Sequence, residues 1–195
     1  MPEVQVLPGL PVNEDLFDAA VRGLADFAPD DAITWEDFTS EDRWLLVPRP
    51  DGLAYKAELL VRREESRTVK VNLWLGPDRR GGEQPRPHNH PWEFTAHVLR
   101  GGYTEERYEL VDGELVTETR VHEAGGTNHV PLSTFHEVTR IAAPGGTLTL
   151  MVCGAGRKGA WGYIDPETGR TEPHQPDPSF RQHLAALNPR MGRPH

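Results

Sequence analysis

The sequence predicts an all-β-dominated fold: eight or so short strands forming a sandwich or jelly-roll barrel, preceded by an N-terminal helical segment. Three observations predict it. Apolar residues alternate with period two from Leu53 onward, as half-buried strands require. Nineteen glycines and 18 prolines supply the turns that many short strands need. Helical spacing, by contrast, is found ahead of that stretch and again in the tail.

In chain order, residues 12–27 read as an amphipathic helix. Leu16, Phe17, Ala20, Val21, Leu24 and Phe27 recur at i, i+3 and i+4, Asn13 is placed to cap the start, and Ala28-Pro29-Asp30 ends it. A second short helical piece is expected after Ser40, where Glu41 and Asp42 suit a first turn and Pro48 and Pro50 stop it. Strands are expected at residues 55–61, 68–75, 94–99, 104–111, 115–121, 136–141 and 147–152, with a charged turn over 62–67. Asp112-Gly113 between two of them is a hairpin signal. The run Pro77-Asp78-Arg79-Arg80-Gly81-Gly82 reads as a loop over the barrel mouth. From Asp165 the tail is turn-rich, with one helix expected over 178–187. There is no internal repeat and no low-complexity segment. A single domain over 1–195 is expected, made of a helical extension (1–50), a barrel core (53–153) and a C-terminal extension (154–195).

Composition removes several functional classes. The chain carries 21 Lys plus Arg against 30 Asp plus Glu, a formal charge of −9, whereas a nucleic-acid or anionic-membrane surface needs a basic face. No window approaches the roughly 18–20 apolar residues of a membrane span. The N-terminal segment has neither a basic nor an apolar region of the secretory kind, so no signal peptide is expected. Cys153 is the only cysteine, which excludes an intramolecular disulfide and fits a reducing, cytoplasmic location. It reads as a small buried hydrophobe on the last strand.

The chemistry centres on Pro87-His88-Asn89-His90-Pro91. On an extended segment, residues i and i+2 face the same side, so His88 and His90 can offer two imidazoles to one point. Imidazole suits Zn, Fe, Ni and Cu, and a pair of surface histidines is the plain alternative. A third ligand has to come from elsewhere, and His136 lies on a later strand-like segment.

In this region the sequence resembles the cupin superfamily. The first cupin motif is Gly, five residues, His-x-His, three or four residues, Glu, six residues, Gly; here Gly82, His88, His90, Phe94 (in the Glu slot) and Gly101 hold those places. The second is Gly, five residues, Pro-x-Gly, two residues, His, three residues, Asn. Gly125, Pro131 and His136 fall at those spacings, with Ser133 and Arg140 in the other two slots. The resemblance covers 82–140 and implies a double-stranded β-helix, the jelly-roll cupin barrel, holding one metal on His88, His90 and His136. Phe94 removes the usual carboxylate ligand, and Glu93, one position away, turns to the opposite face. The set is then similar to the three-histidine dioxygenases, the thiol and diketone enzymes among them.

That likeness implies Fe(II) as cofactor, with Zn, Mn or Ni as alternatives, and a small metal-chelating substrate together with O2. It also implies a homodimer by strand-edge pairing. Phe135-His136-Glu137-Val138 resembles the final ligand segment of the cysteine dioxygenase group, but its Ser-x-His and Tyr have no counterpart in the stretch from Thr147 to Cys153. Lys56, Arg62 and Arg63 lie roughly where that group places an arginine for the substrate carboxylate, and Arg140 is a further candidate for an anionic group. Trp92 and Phe94 share the parity of the ligand pair and are expected to wall the substrate pocket. His97 should face outward, His122 and His129 read as surface residues, and His174, His183 and His195 as solvated tail residues. The expected function is a mononuclear non-haem Fe(II) dioxygenase. The alternatives are a Zn- or Mn-dependent isomerase, epimerase or lyase, or a non-catalytic ligand-binding cupin.

Overall fold

The structure, a computed structural model, describes residues 3–82, 84–157 and 159–190. In chain order it has β1 (Val4–Leu7), β2 (Leu10–Val12), α1 (Glu14–Phe27), α2 (Trp35–Thr39), a 3-10 turn (Glu41–Arg43), β3 (Trp44–Pro48), β4 (Ala54–Arg63) and β5 (Thr68–Trp74). It continues with β6 (Phe94–Arg100), β7 (Gly102–Val111), β8 (Glu114–Glu123), β9 (Thr127–Val130), β10 (Phe135–Ile141), β11 (Thr147–Cys153), β12 (Gly162–Ile164), β13 (Thr171–Pro173) and α3 (Pro178–Leu187).

Two antiparallel sheets make the jelly roll. The larger has six strands in the order β3-β4-β5-β11-β6-β9, and the smaller has the order β10-β7-β8. Val47, Tyr55, Trp74 and Val98 of the first meet Tyr103, Val138 and Ile141 of the second in one buried cluster. The chain passes between sheets at Gly101, whose φ is +70° and whose site has no room for a Cβ against Thr147. Asp112 and Gly113, at φ 53° and 85°, make the predicted hairpin turn between β7 and β8.

The larger sheet is buried on both faces. Ala57, Leu59, Val69, Val71, Leu73, Leu148 and Leu150 point outward into a core closed by β1, β2, α1 and α2. Asn13 caps α1 by accepting from the Leu16 amide, and Leu16, Ala20 and Leu24 carry the helix onto the sheet. Burying Leu16 and Leu24 is worth about 2 kcal/mol each. The opposite parity turns Lys56, Glu58, Lys70, Asn72, Trp74, Thr149 and Met151 to the barrel interior.

Several expectations need correction. Val21 and Phe27 of α1 are exposed (39% and 42%), Phe27 being stacked on His97 at 3.7 Å between ring centres. The segment after Ser40 makes only a single 3-10 turn, and the short helix precedes it, held by a Thr34–Asp37 capping box. β3 lies outside the expected strands because Trp-Leu-Leu-Val-Pro is apolar throughout and shows no alternation. β1, β2, β9, β12 and β13 also lie outside them because three or four residues are too few to display a period. Among the described residues no helix is long and apolar enough to cross a membrane.

Candidate metal centre

Pairing of short backbone segments brings the three histidines together. His88 and His136 exchange two backbone hydrogen bonds, N–H of each to the carbonyl of the other, at 3.0 and 2.9 Å. On its other side the His-x-His segment is tied to β12. The Asn89 amide N–H donates to the Gly162 carbonyl at 3.2 Å, and the Ile164 N–H donates to Pro87 at 3.0 Å. The Asn89 side chain adds two clamps, accepting from the Gly162 N–H at 2.7 Å and donating to the Leu132 carbonyl at 3.1 Å. The residue between the two histidines is thus a fastener that fixes their backbone.

The side chains converge. Ligand-capable atoms of His88, His90 and His136 all lie within 4.8 Å of one another, and the ring centres are 5.0, 5.2 and 5.3 Å apart. His90 Nε2 and His136 Nε2 are 3.0 Å apart. Two nitrogens bonded at right angles to one metal at about 2.1 Å would stand about 3.0 Å from each other. His88 is 1% exposed, and neither of its ring nitrogens has a hydrogen-bond partner among the described residues. A buried imidazole left wholly unpartnered is a costly arrangement unless a ligand-seeking ion fills it. Burial first, then the charges of Arg80, His136 and Lys56, hold the His88 pKa well below the ordinary imidazole range. Burial also dominates for His90, reinforced by His88, His136 and Lys56. Both rings are therefore neutral and offer lone pairs, so the donor set fits a divalent metal.

A second layer of residues orients His136. Its Nδ1 lies 2.9 Å from Oε2 of Glu105, a fully buried carboxylate. An acceptor there keeps the proton on Nδ1 and leaves the Nε2 lone pair facing the cluster. Glu105 Oε1 accepts from Arg107 Nε at 2.6 Å and from Asn128 Nδ2 at 3.1 Å, and stands 3.0 Å from His122 Nε2. Arg107 also bonds the Asn128 side chain and the His129 carbonyl, and Asn128 bonds Tyr103. Burial alone would raise the Glu105 pKa; hydrogen bonds from His122 and His136 and the Arg107 charge outweigh it and hold the carboxyl well below its usual range.

The other predicted positions divide. Phe94 stands edge-on to His90 with ring centres 5.0 Å apart, and the Trp92 ring is 6.1 Å from the His90 ring. Lys56 is buried on the inner face and paired with Glu58 at 2.9 Å. Arg140 does not join them: it follows a bulge in β10 and its side chain is exposed. Arg62 is pulled away by Asp31 and Glu64, and Arg63 is exposed. His122 is no surface residue, since its ring reaches into the Glu105 network with 11% side-chain exposure. His129 is exposed, as expected, and His97 faces outward against α1. His174 is partly covered by Trp161, at 3.8 Å between rings, and His183 is half-buried; His195 lies outside the described residues.

Residues 77–82 form more than a loop. Asp78 is buried, bridges to Val138, is held by Arg80 at 2.7 Å and places Oδ2 3.7 Å from His88 Nε2; Arg80 in turn donates to Tyr55 Oη at 3.0 Å. Glu105, Arg107, Asn128 and Asp78 carried no signal in sequence, since polar and charged residues on short strands or in a loop read as solvated ones.

No protein-family model and no curated protein matches this chain. Solved structures of similar shape include a candidate mannose-6-phosphate isomerase from Ralstonia eutropha JMP134, 19% identical, with 51% of this chain and 84% of that one covered at a TM-score of 0.41. KdgF from Halomonas sp. is 18% identical over 53% and 82% of the two chains, at 0.36. Hydroxypropylphosphonic acid epoxidase from S. wedmorenis is 16% identical over 58% and 56%, at 0.39. None of these likenesses carries an argument about the site, which rests on this chain's own residues.

Proposed function

We propose that His88, His90 and His136 hold a single divalent metal, Fe(II) first among the candidates, in a three-histidine centre of the cupin kind, and that the protein is a metal-dependent enzyme oxidising a small chelating molecule with O2. The observation that carries this reading is the buried convergence of three imidazoles, one of them with both nitrogens unpartnered among the described residues. Iron held there would supply the electron-transfer chemistry that lets O2 react with a bound organic substrate, which no side chain of this chain can provide. Three neutral ligands leave the ion its full charge, and with it the pull on an anionic or chelating substrate.

The protein's own part is orientation and exclusion of water. Glu105 fixes the His136 tautomer and ring plane, Asn89 fixes the backbone of the other two ligands, and Phe94 and Trp92 form an apolar wall on the His90 side. The absence of a carboxylate from the Phe94 position favours three-histidine chemistry over a four-ligand centre.

The test is O2 uptake by protein purified and loaded with Fe(II) under anaerobic conditions, measured with a panel of thiols, diketones and small acids. Substrate-dependent uptake that is lost in His136→Ala supports the proposal. Turnover of a substrate with Zn or Mn and no O2 consumed would replace it with Lewis-acid chemistry at the same three residues.

A further inference from the structure

The barrel interior contains more charge than the orientation of the three histidines accounts for. Asp78 is matched by Arg80 and Glu105 by Arg107, one to one. Lys56 and Lys70 share a single carboxylate: both ammonium groups contact Oε1 of Glu58 at 2.9 Å. Their side chains are only 10% and 12% exposed, so among the described residues one positive charge of this buried set is left over. A surplus charge is expensive there unless an anion answers it, and a divalent metal on the histidines would add to the same sign.

Asn72 makes the same point independently. It is fully buried, and neither its amide nitrogen nor its oxygen has a hydrogen-bond partner among the described residues. Strand register places it beside Glu58 on β4 and Thr149 on β11, on the face that carries Lys70 and Lys56. A side-chain amide in a sheet interior usually satisfies itself across the strands; this one has no such partner among the described residues. A cleft of about 540 Å³ reaches Lys70 and Glu58 beside Trp92 and Cys153, and it is of a size that takes a small molecule; Lys56 and Asn72 lie behind these two on the same sheet face, outside its lining. Lys70 Nζ sits 5.8 Å from the centre of the Trp92 ring, whose other neighbour is His90.

We infer that Lys56, Lys70 and Asn72 form a seat for the carboxylate of a small organic acid, one indole away from the metal centre. This deepens the proposed function by naming the substrate class, and rests on it only in taking the seated acid to be the molecule that meets the metal. The seat itself is a property of the metal-free protein. Glu58 holds the two lysines in place, and the incoming carboxylate takes up the hydrogen-bonding capacity of the ammonium groups and of the Asn72 N–H donors.

The experiment is calorimetry and thermal denaturation of the chelated, desalted full chain with acetate, glycolate, succinate and inorganic phosphate at constant ionic strength. At least one carboxylate should bind and raise the melting temperature with concentration. Lys70→Gln and Asn72→Ala should each weaken that binding tenfold or more, while Lys70→Arg retains it. Should Lys70→Gln not fold, the Asn72→Ala and Lys70→Arg pair decides alone. No binding by any carboxylate, undiminished binding in Asn72→Ala or Lys70→Gln, or a preference for phosphate would overturn the inference. His88→Ala separates the two proposals: carboxylate binding that survives in a variant unable to load metal supports the seat, whereas a wild-type chain that takes up no metal yet binds carboxylate removes the proposed function and leaves the seat standing.

Discussion

Replacing Glu105 with Gln should separate orientation of a ligand from ligation itself. Glu105 is fully buried and offers one oxygen to His136 Nδ1 at 2.9 Å and the other to Arg107, His122 and Asn128. An amide cannot do both. If its oxygen stays with Arg107 and Asn128, its NH2 faces His136 Nδ1 and favours the tautomer with the proton on Nε2, where the metal's lone pair should be. Losing such a supporting carboxylate costs 10- to 100-fold in metal affinity, or about 1.4–2.7 kcal/mol. Folding stability falls as well, because Arg107 loses its charged partner; removing one member of a buried pair costs about 3–5 kcal/mol. Arg107 keeps the Asn128 side chain and the His129 carbonyl, so the loss should lie near the lower figure. Competition of the loaded protein against a chelating dye gives the first number, and urea unfolding of the metal-free chain the second. A folded Glu105→Gln variant with wild-type metal affinity would refute the claim that Glu105 sets the His136 tautomer.

Two further outcomes follow from the same structure. Burial would raise the Glu58 pKa, but Lys56 and Lys70 outweigh it and bring it from 4.5 to about 2, a depressed carboxylate whose stabilisation is complete above pH 4.5 and is lost as pH falls toward 2. The window of 2.5 units corresponds to about 3 kcal/mol, so unfolding curves of wild type and Glu58→Gln should draw together as pH drops through that range; a constant gap would contradict the pairing. Gly101→Ala should lower the urea midpoint by an amount equivalent to about 1–3 kcal/mol, since φ is +70° there and the new methyl meets Thr147; an unchanged midpoint would mean the corner relaxes freely.

The fold was legible wherever a segment was long enough to show its period. The strands expected at 55–61 and 104–111 lie within β4 and β7, Asp112-Gly113 declares its turn, and α3 occupies the residues expected of it, Pro178–Leu187. It was illegible where both faces are buried, as in β3, or where pairing rather than pattern makes the strand, as in β9 and β12. The candidate site shows the same division. His88 and His90 stand two apart and His136 keeps a recognisable spacing from Pro131, so the three donors could be read in one dimension. Glu105 and Arg107 come to His136 only through the β7–β10 register, in which His136 stands opposite Arg107. Arg140 stands apart from the cluster for the same reason in reverse: the bulge after Val138 breaks the parity that the motif spacing assumed.

The most direct measurement is anaerobic titration of the chelated protein with Fe(II), followed by X-ray absorption at the metal. One ion per chain with three imidazole nitrogens around it, and loss of tight binding in both His88→Ala and His136→Ala, is the predicted result. Variants that take up a full equivalent in an unaltered environment would contradict it.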